Sequence, residues 1–290
     1  MRTLLTLLFL ATAAGCASTP DLHPAAPQHA QTDESRRSLS DAGLVRKTLG
    51  TMVYWTGGNS RRPPLVLVHG INEHAGTWAA AAPLLAPDYR LIIPDLAGHG
   101  ESEPKTGPIT YAAMVEGIAS LIDHEVQAGK VTLAGNSMGG WLSMLYAFDH
   151  ADRVERLVLE DASGMAWFLG DVPLIPKTRE EAARVLRAVH GPNADTSDAA
   201  VDALLARKNP QMARVAIADA LANLVDRRLP ELKMPVTLIW GRHDGLLPVA
   251  YAEALQKKIP GSTLSIIEDA AHIPHRQQPR KFVQCLKMAC

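Results

Sequence analysis

The stretch that decides the fold is Val131-Thr132-Leu133-Ala134-Gly135-Asn136-Ser137-Met138-Gly139-Gly140. Its first four residues are apolar or β-branched, which predicts a short buried strand. The residues that follow, Trp141 to Ala147, have helical character. Ser137 therefore lies at a predicted strand–turn–helix junction, with a glycine two residues away on each side.

This spacing is the G-x-S-x-G pattern of a nucleophile elbow. Gly135 and Gly139 lack the Cβ atoms that would collide in so tight a turn, and the following helix directs its N-terminal amides toward the serine. A Gly/Ser turn before an ordinary helix would show the same letters. The pattern therefore predicts a nucleophile only if the rest of the chain supplies a base, an acid and donors for an oxyanion.

Composition sets wide bounds. The chain has 290 residues, of which 47% are hydrophobic and 20% are charged, and its net charge is −1. This length suits one large α/β domain with an inserted cap as well as it suits two domains. A nearly neutral chain gives no global electrostatic reason to expect nucleic acid as a partner.

Eight predicted strands alternate with helices along most of the chain. After an initial pair at Leu44–Thr48 and Thr51–Thr56, the strands are Leu65–Val68, Tyr89–Ile93, the strand before Ser137, Val154–Leu159, Val236–Trp240 and Thr263–Ile267. Helices are predicted at Tyr111–Gln127, from Ser137 to Asp149, at Val249–Lys258 and at Pro279–Met288. Apolar runs without alternation favour central parallel strands covered on both faces. The prediction is an α/β fold with a mostly parallel, doubly wound sheet.

The alternation stops between residues 163 and 229. This segment contains amphipathic helices predicted at Arg179–Val189, Ser197–Arg207 and Gln211–Arg227. A long crossover connection would also fit, but more than 60 residues favour a separate helical cap inserted after the sixth strand. The expected core is then 44–162 together with 230–290.

The N-terminus resembles a bacterial lipoprotein signal. A short positive start is followed by the apolar segment Leu4 to Ala14, which is too short to span a membrane, and then by Ala13-Ala14-Gly15-Cys16. The resemblance implies a signal peptide at 1–15 and lipid attachment at Cys16, although Ala13 departs from the usual leucine. An ordinary secretory signal, with Cys16 incidental, is the alternative.

Residues 16–43 are rich in proline, alanine, glutamine and charge up to about Ser40, which predicts a flexible tether between a membrane anchor and the folded body. The expected location is the cell envelope, and Ala17 after the cysteine resembles outer-membrane lipoproteins that face the periplasm if the organism is Gram-negative. An oxidising compartment permits a disulfide between Cys285 and Cys290, but their spacing within a helix disfavours one.

Three side chains follow predicted strands in the order Ser137, Asp244, His272. Ligands of open α/β sheets bind beyond the carboxyl ends of the strands, so these residues are expected to meet there. Serine needs a base to become a nucleophile, which His272 can provide, and Asp244 can orient the imidazole.

With these pieces, the chain resembles an α/β-hydrolase-fold serine hydrolase over roughly residues 44–288. The motifs that carry the resemblance, besides the elbow, are His69-Gly70, Asp95-x-x-Gly98-His99-Gly100-x-Ser102, Gly241-Arg242-x-Asp244 and Ala271-His272. It implies an oxyanion hole made by the backbone N–H groups of Met138 and Ile71. It implies no cofactor, and the sequence shows no cluster with metal-ligand spacing.

Two residues compete for roles in the site. His275 follows His272 closely and is the rival base, whereas His69 and His99 are expected to be structural. Asp161, after the sixth strand, is the rival acid, because some members of the family place the acid there.

The expected reaction is hydrolysis of a small carboxylic ester. Apolar cap residues, Trp167 and Phe168 among them, favour an apolar acyl group if they line the pocket and do not merely pack the cap. A carbon–carbon bond hydrolase of the meta-cleavage-product type is the first alternative, because Asn136 and Met138 resemble that subgroup. A non-catalytic binding protein on the same scaffold is the second.

Overall fold

The computed structural model describes residues 29–166, 172–206 and 210–288. Its centre is an eight-stranded sheet in the order β1-β2-β4-β3-β5-β6-β7-β8. The strands are β1 Val45–Leu49, β2 Met52–Gly58, β3 Pro64–Val68, β4 Arg90–Pro94, β5 Val131–Asn136, β6 Val154–Glu160, β7 Val236–Gly241 and β8 Thr263–Ile267. β2 is antiparallel to both of its neighbours, and all pairs from β4 to β8 are parallel. The predicted fold class is confirmed.

Apolar runs form the middle of the sheet because both of its faces are covered. Every residue of β5 and β7 is buried, and β3 is buried from its second residue onward. β1 lies at one edge and is mostly exposed, whereas β8 at the other edge is partly covered. The strand that leads to Ser137 therefore lies deep in the sheet, where packing from both faces fixes its position.

The α-helices of the described residues are α1 His29–Asp41, α2 Ala82–Leu85, α3 Tyr111–Glu125, α4 Met138–Asp149, α5 Arg179–His190, α6 Asp198–Ala206, α7 Pro210–Arg214, α8 Ile217–Ala222, α9 Val249–Lys258, α10 Pro274–Gln277 and α11 Pro279–Met288. Of these, α1, α3, α4, α9 and α11 contact the strands of the sheet. No helix among the described residues combines the length and the hydropathy needed to cross a membrane. Cys16, Trp167, Phe168 and Cys290 lie outside the described residues.

Helices α5 to α8 lie between β6 and β7, which confirms a helical insertion after the sixth strand. The predicted single helix Gln211–Arg227 is wrong: α7 and α8 are separate. The break occurs at Val215, which forms a parallel bridge with Ile109. The amide of Ile109 donates to the carbonyl of Arg214, so a tertiary backbone contact interrupts what the periodicity predicted as one helix.

Helix α1 corrects the expected boundary of the tether, because it begins inside the segment 16–43. Leu39 is fully buried, and the guanidinium of Arg36 lies 3.7 Å from the carboxylate of Asp95 and 3.4 Å from that of Glu101. Composition favours a flexible segment here because one buried leucine in a polar stretch leaves almost no hydrophobic pattern. The folded body therefore starts before residue 44.

Candidate active site

The turn at Ser137 has the strained backbone that the glycine spacing predicts. Ser137 has φ 53° and ψ −121°, between the end of β5 and the first residue of α4. A Cβ added to Gly135 would lie 2.3 Å from the carbonyl oxygen of Gly139, and one added to Gly139 would lie 2.2 Å from that of Val68. Both glycines are thus required by close backbone approach, and the strained serine is held at the carboxyl end of the central strand β5.

Two backbone segments border Ser137. Met138 is the first residue of α4, so its amide N–H has no acceptor within that helix. On the other side, a Cβ built on Gly70 would lie 3.2 Å from the Cβ of Ser137, which places the Gly70–Ile71 loop directly against the serine. The two residues expected to provide oxyanion donors therefore flank Ser137 on neighbouring strand ends.

Asp244 and His272 meet in a short hydrogen bond. Nδ1 of His272 lies 2.8 Å from Oδ2 of Asp244, and the two side chains are almost fully buried. Oδ1 of Asp244 accepts from the backbone amides of Leu246 and Leu247 at 2.8 and 2.9 Å. These three donors fix the carboxylate, so Nδ1 of His272 carries a proton and Nε2 is left as the basic nitrogen of the neutral ring.

Opposing effects set the pKa of His272. Burial alone would lower it, but the charge of Asp244 and its hydrogen bond raise it, with further help from the carboxylates of Glu160 and Glu73. The net result is a pKa above the ordinary value for histidine. An imidazole in this setting can accept a proton readily, because the resulting imidazolium faces a carboxylate.

Asn136 connects the serine turn to the histidine loop, which the sequence did not reveal. Its Nδ2 donates to the backbone carbonyl of His272 at 2.9 Å. This contact links the residue before Ser137 directly to the main chain of His272. Asn136 itself is buried. Asn136, one of the two residues on which the resemblance to carbon–carbon bond hydrolases rests, therefore holds the serine turn and the histidine loop together.

Asp161, the rival acid, lies next to Asp244 but does not replace it. Oxygen atoms of these two carboxyl groups and a ring nitrogen of His272 all lie within 4.8 Å of one another. Nδ1–H of His272 nevertheless donates to Asp244, and Oδ1 of Asp161 accepts from the amide of Gly241 at 3.0 Å.

His275, the rival base, is occupied elsewhere. Its Nδ1 lies 2.8 Å from Oε2 of Glu160, its Nε2 lies 2.9 Å from Oγ1 of Thr77, and its ring is completely buried against Trp78. With both ring nitrogens hydrogen bonded and no exposed surface, His275 supports the packing beneath the site.

His69, from another of the motifs, is fully buried and hydrogen bonded at both ring nitrogens. Nε2 of His69 accepts from the amide of Leu96 at 3.0 Å, so Nδ1 is protonated and donates to the carbonyl of Gly70 at 2.7 Å. Burial lowers the pKa of His69 well below its ordinary value, and the nearby ring of His99 adds to this effect. With Nε2 accepting and Nδ1 donating, His69 holds the start of the loop that carries Ile71.

The cap is tied to these loops by main-chain hydrogen bonds. The carbonyl of Val189 in α5 accepts from the amide of His272, and the carbonyl of Ala188 accepts from that of Gly245. The last carbonyls of a helix have no acceptor role inside it, so the end of α5 is free to bind the acid and base loops. Nε1 of Trp141 adds a further link by donating to the carbonyl of Asn223 at 2.8 Å.

The sequence matches the Alpha/beta hydrolase family over residues 65–284, which is most of the chain. This chain belongs to the alpha/beta hydrolase family. The match covers the strands that carry Ser137, Asp244 and His272, together with the whole cap.

Similar proteins of this family include enzymes named for ester substrates. Lipase 1 of Psychrobacter immobilis is 28% identical over 287 residues, covering 92% of this chain and 90% of that protein. Pimeloyl-[acyl-carrier protein] methyl ester esterase of Vibrio vulnificus (strain YJ016) is 29% identical over 255 residues, covering 81% of this chain and 96% of that protein. Among solved structures, a bacterial membrane phospholipase A has a TM-score of 0.73 at 23% identity, covering 90% of this chain and 92% of that one. The structural likeness supports the alpha/beta hydrolase fold.

Proposed function

We propose that this chain is a serine hydrolase that cleaves carboxylic esters through an acyl-enzyme on Ser137. The observation that carries the proposal is the 2.8 Å hydrogen bond between His272 and Asp244, formed at the same sheet edge as a strained serine at a helix N-terminus. The ester specificity is supported by relatives named lipase and methyl ester esterase.

The proposed mechanism uses Ser137, His272 and Asp244 in turn. Nε2 of His272 takes the proton of the Ser137 hydroxyl as its oxygen attacks the ester carbonyl, and Asp244 stabilises the imidazolium. The backbone N–H groups of Met138 and Ile71 would donate to the oxyanion, and loss of one such donor typically costs ~10²–10³ in rate. The imidazolium then protonates the departing alcohol, and a water activated by His272 releases the acid and restores the serine.

The substrate is proposed to carry an apolar acyl group. Support comes from the apolar stretch of the cap sequence that contains Trp167 and Phe168. The enzyme is proposed to work at the cell envelope, held through lipidated Cys16, for which the signal-like N-terminal sequence is the support.

The test is an assay of p-nitrophenyl esters of increasing acyl length, together with labelling by a fluorophosphonate probe. Wild-type protein is expected to hydrolyse the esters and take up the probe, whereas Ser137→Ala is expected to do neither. Ser143→Ala is a matched control on α4: the Oγ of Ser143 donates to the carbonyl of Gly139, so this hydroxyl has a structural partner. Full ester activity in Ser137→Ala would refute the proposal.

The same assay separates the alternatives. A carbon–carbon hydrolase would turn over a ring-fission dienoate in preference to every ester, and it is favoured by the Gly135–Gly140 sequence alone. A binding protein without catalysis would leave the probe unreacted where a control esterase reacts.

A further inference from the structure

Asp161 is a buried carboxyl group that the proposed mechanism does not use. It follows β6, its backbone has an unusual φ of 39°, and its side chain has no exposed surface. A non-glycine residue at positive φ is costly and is retained where the surroundings hold it. The position of the carboxyl group is therefore imposed by the fold.

The two oxygens of Asp161 have different surroundings. Oδ1 accepts from the amide of Gly241 at 3.0 Å. Oδ2 is buried, and among the described residues no N–H or O–H group donates to it. A buried carboxylate oxygen without a donor is costly, but the same oxygen is satisfied if it carries a proton and donates.

Asp244 is the acceptor within reach. The carboxyl groups of Asp161 and Asp244 belong to the cluster that spans no more than 4.8 Å with His272. Asp244 already receives three N–H donors, and an ionised carboxylate has about four acceptor positions. One position therefore remains for a donor from Asp161.

The charges around Asp161 are negative. Burial raises the pKa of Asp161 well above its ordinary value, and the neighbouring carboxylates of Asp244 and Glu160 raise it further, while the Gly241 amide opposes them. Glu160 is bound to His275, so it offers no proton donor to Asp161. Two adjacent buried carboxyl groups cannot easily both ionise.

We propose that Asp161 is a neutral carboxylic acid whose Oδ2–H donates to Asp244, which makes it a positioning residue for the acid–base pair Asp244–His272. This proposal rests on the proposed function only in taking His272 as the base. The donated hydrogen bond withdraws negative charge from Asp244 and fixes the orientation of its carboxylate. Asp161 thereby limits the basicity of His272 without touching the substrate.

The protonation state can be measured without any enzymatic activity. Protein labelled with ¹³C at aspartate carboxyl carbons is expected to show one resonance of a protonated carboxyl at pH 7, and Asp161→Asn is expected to remove it. A wild-type spectrum in which every aspartate is ionised at pH 7 would overturn the proposal, even if the protein hydrolysed no ester.

The role in positioning is tested by the pH dependence of kcat/KM in two variants. Asp161→Ala removes the donor, so Asp244 holds its full charge and the acid limb assigned to His272 is expected to move to higher pH, with a loss of roughly tenfold or more in kcat. Asp161→Asn keeps a neutral donor at the same place and is expected to restore the acid limb and most of the lost rate.

Other outcomes are distinguishable. If Asp161 were ionised, both variants would remove a negative charge near His272 and shift the acid limb to lower pH, by roughly 1 unit or more. A purely structural role would lower the Tm of Asp161→Ala while leaving the acid limb in place. Either result overturns the proposal. Absence of ester hydrolysis in wild-type protein would instead contradict the proposed function, and the carboxyl resonance would still decide the state of Asp161.

Discussion

His272 combines deep burial with three carboxylates that stabilise its charged form. Burial favours the neutral ring, and Asp244, Glu160 and Glu73 together outweigh it, so the pKa lies above its ordinary value. In the proposed mechanism only the neutral ring can take the proton of Ser137. The fraction of active enzyme must therefore rise with pH through this pKa.

The pH profile of kcat/KM tests whether activity rises with pH as expected. We expect kcat/KM to fall as pH decreases, with its half-maximum above pH 6.5, the ordinary histidine value. Glu73→Gln removes one charge that favours the imidazolium, so its acid limb should move to lower pH. Glu155→Gln, an exposed change on β6, is the control. A wild-type acid limb at or below pH 6.5 would contradict the expectation.

At this scale the sequence located residues better than it explained their contacts. Strand ends and the chain order Ser, Asp, His singled out Ser137, Asp244 and His272. The hydrogen bond from Asn136 to His272, and the contact of Asp161 with Asp244, join residues far apart in sequence, and no local pattern encodes which side chains meet. The sequence also could not distinguish His272 from His275 as the base. The distinction depends on the hydrogen bonds with Glu160 and Thr77 that occupy both ring nitrogens of His275.

The elbow is the element whose sequence and geometry agree most closely. Its glycines were predicted from the need for a tight turn, and their missing Cβ atoms are the ones that would contact neighbouring backbone. Main-chain atoms cannot move aside as a flexible side chain can. A larger residue is therefore expected to distort the junction of β5 and α4 and to lower the free energy of unfolding.

Gly139→Ala measures that cost. Its Cβ would lie 2.2 Å from the carbonyl of Val68, and we expect a loss of about 3 kcal/mol in unfolding free energy together with most activity. Gly129→Ala is the control: its φ is 93°, but a Cβ there meets nothing within 4 Å, so strain alone should cost about 1 kcal/mol. Denaturant unfolding compares the two. Equal losses in both variants would show that crowding at the elbow is not the cause.

Two elements departed from prediction for the same reason. α7 and α8 are divided where Val215 pairs with Ile109, and α1 is held by one buried leucine and by the ion pairs of Arg36. In both places long-range contacts override weak local signals. The strands and long helices were predictable because their apolar runs and periodicity are strong enough to specify them without such contacts.

For the molecule as a whole, the proposed anchor determines where the enzyme meets its substrate. Lipidation of Cys16 would place a folded body that starts at α1 close to a membrane surface. If Cys16 carries the anchor, only 12 residues separate it from α1, and this number would set an upper limit on how far the folded body can lie from that surface.

Replacement of Cys16 tests the anchor. In cells that process lipoproteins, wild-type protein is expected in the membrane fraction and labelled by a palmitate analogue. Cys16→Ser is expected to lose the label and leave that fraction while retaining its turnover of soluble esters. Cys285→Ser is the matched control, since this partly buried free cysteine is not preceded by a signal-like sequence. Labelling that persists in Cys16→Ser would exclude this cysteine as the attachment site.

The order of the strands also has a consequence for how the enzyme is made. Ser137 follows β5 in the middle of the sheet, whereas Asp244 and His272 follow β7 and β8, which are the last two strands in the sequence and lie at one edge of the sheet. A chain that is still emerging during synthesis contains Ser137 without Asp244 and His272. If these three residues form the proposed triad, catalytic competence begins only when the final strand has joined the sheet.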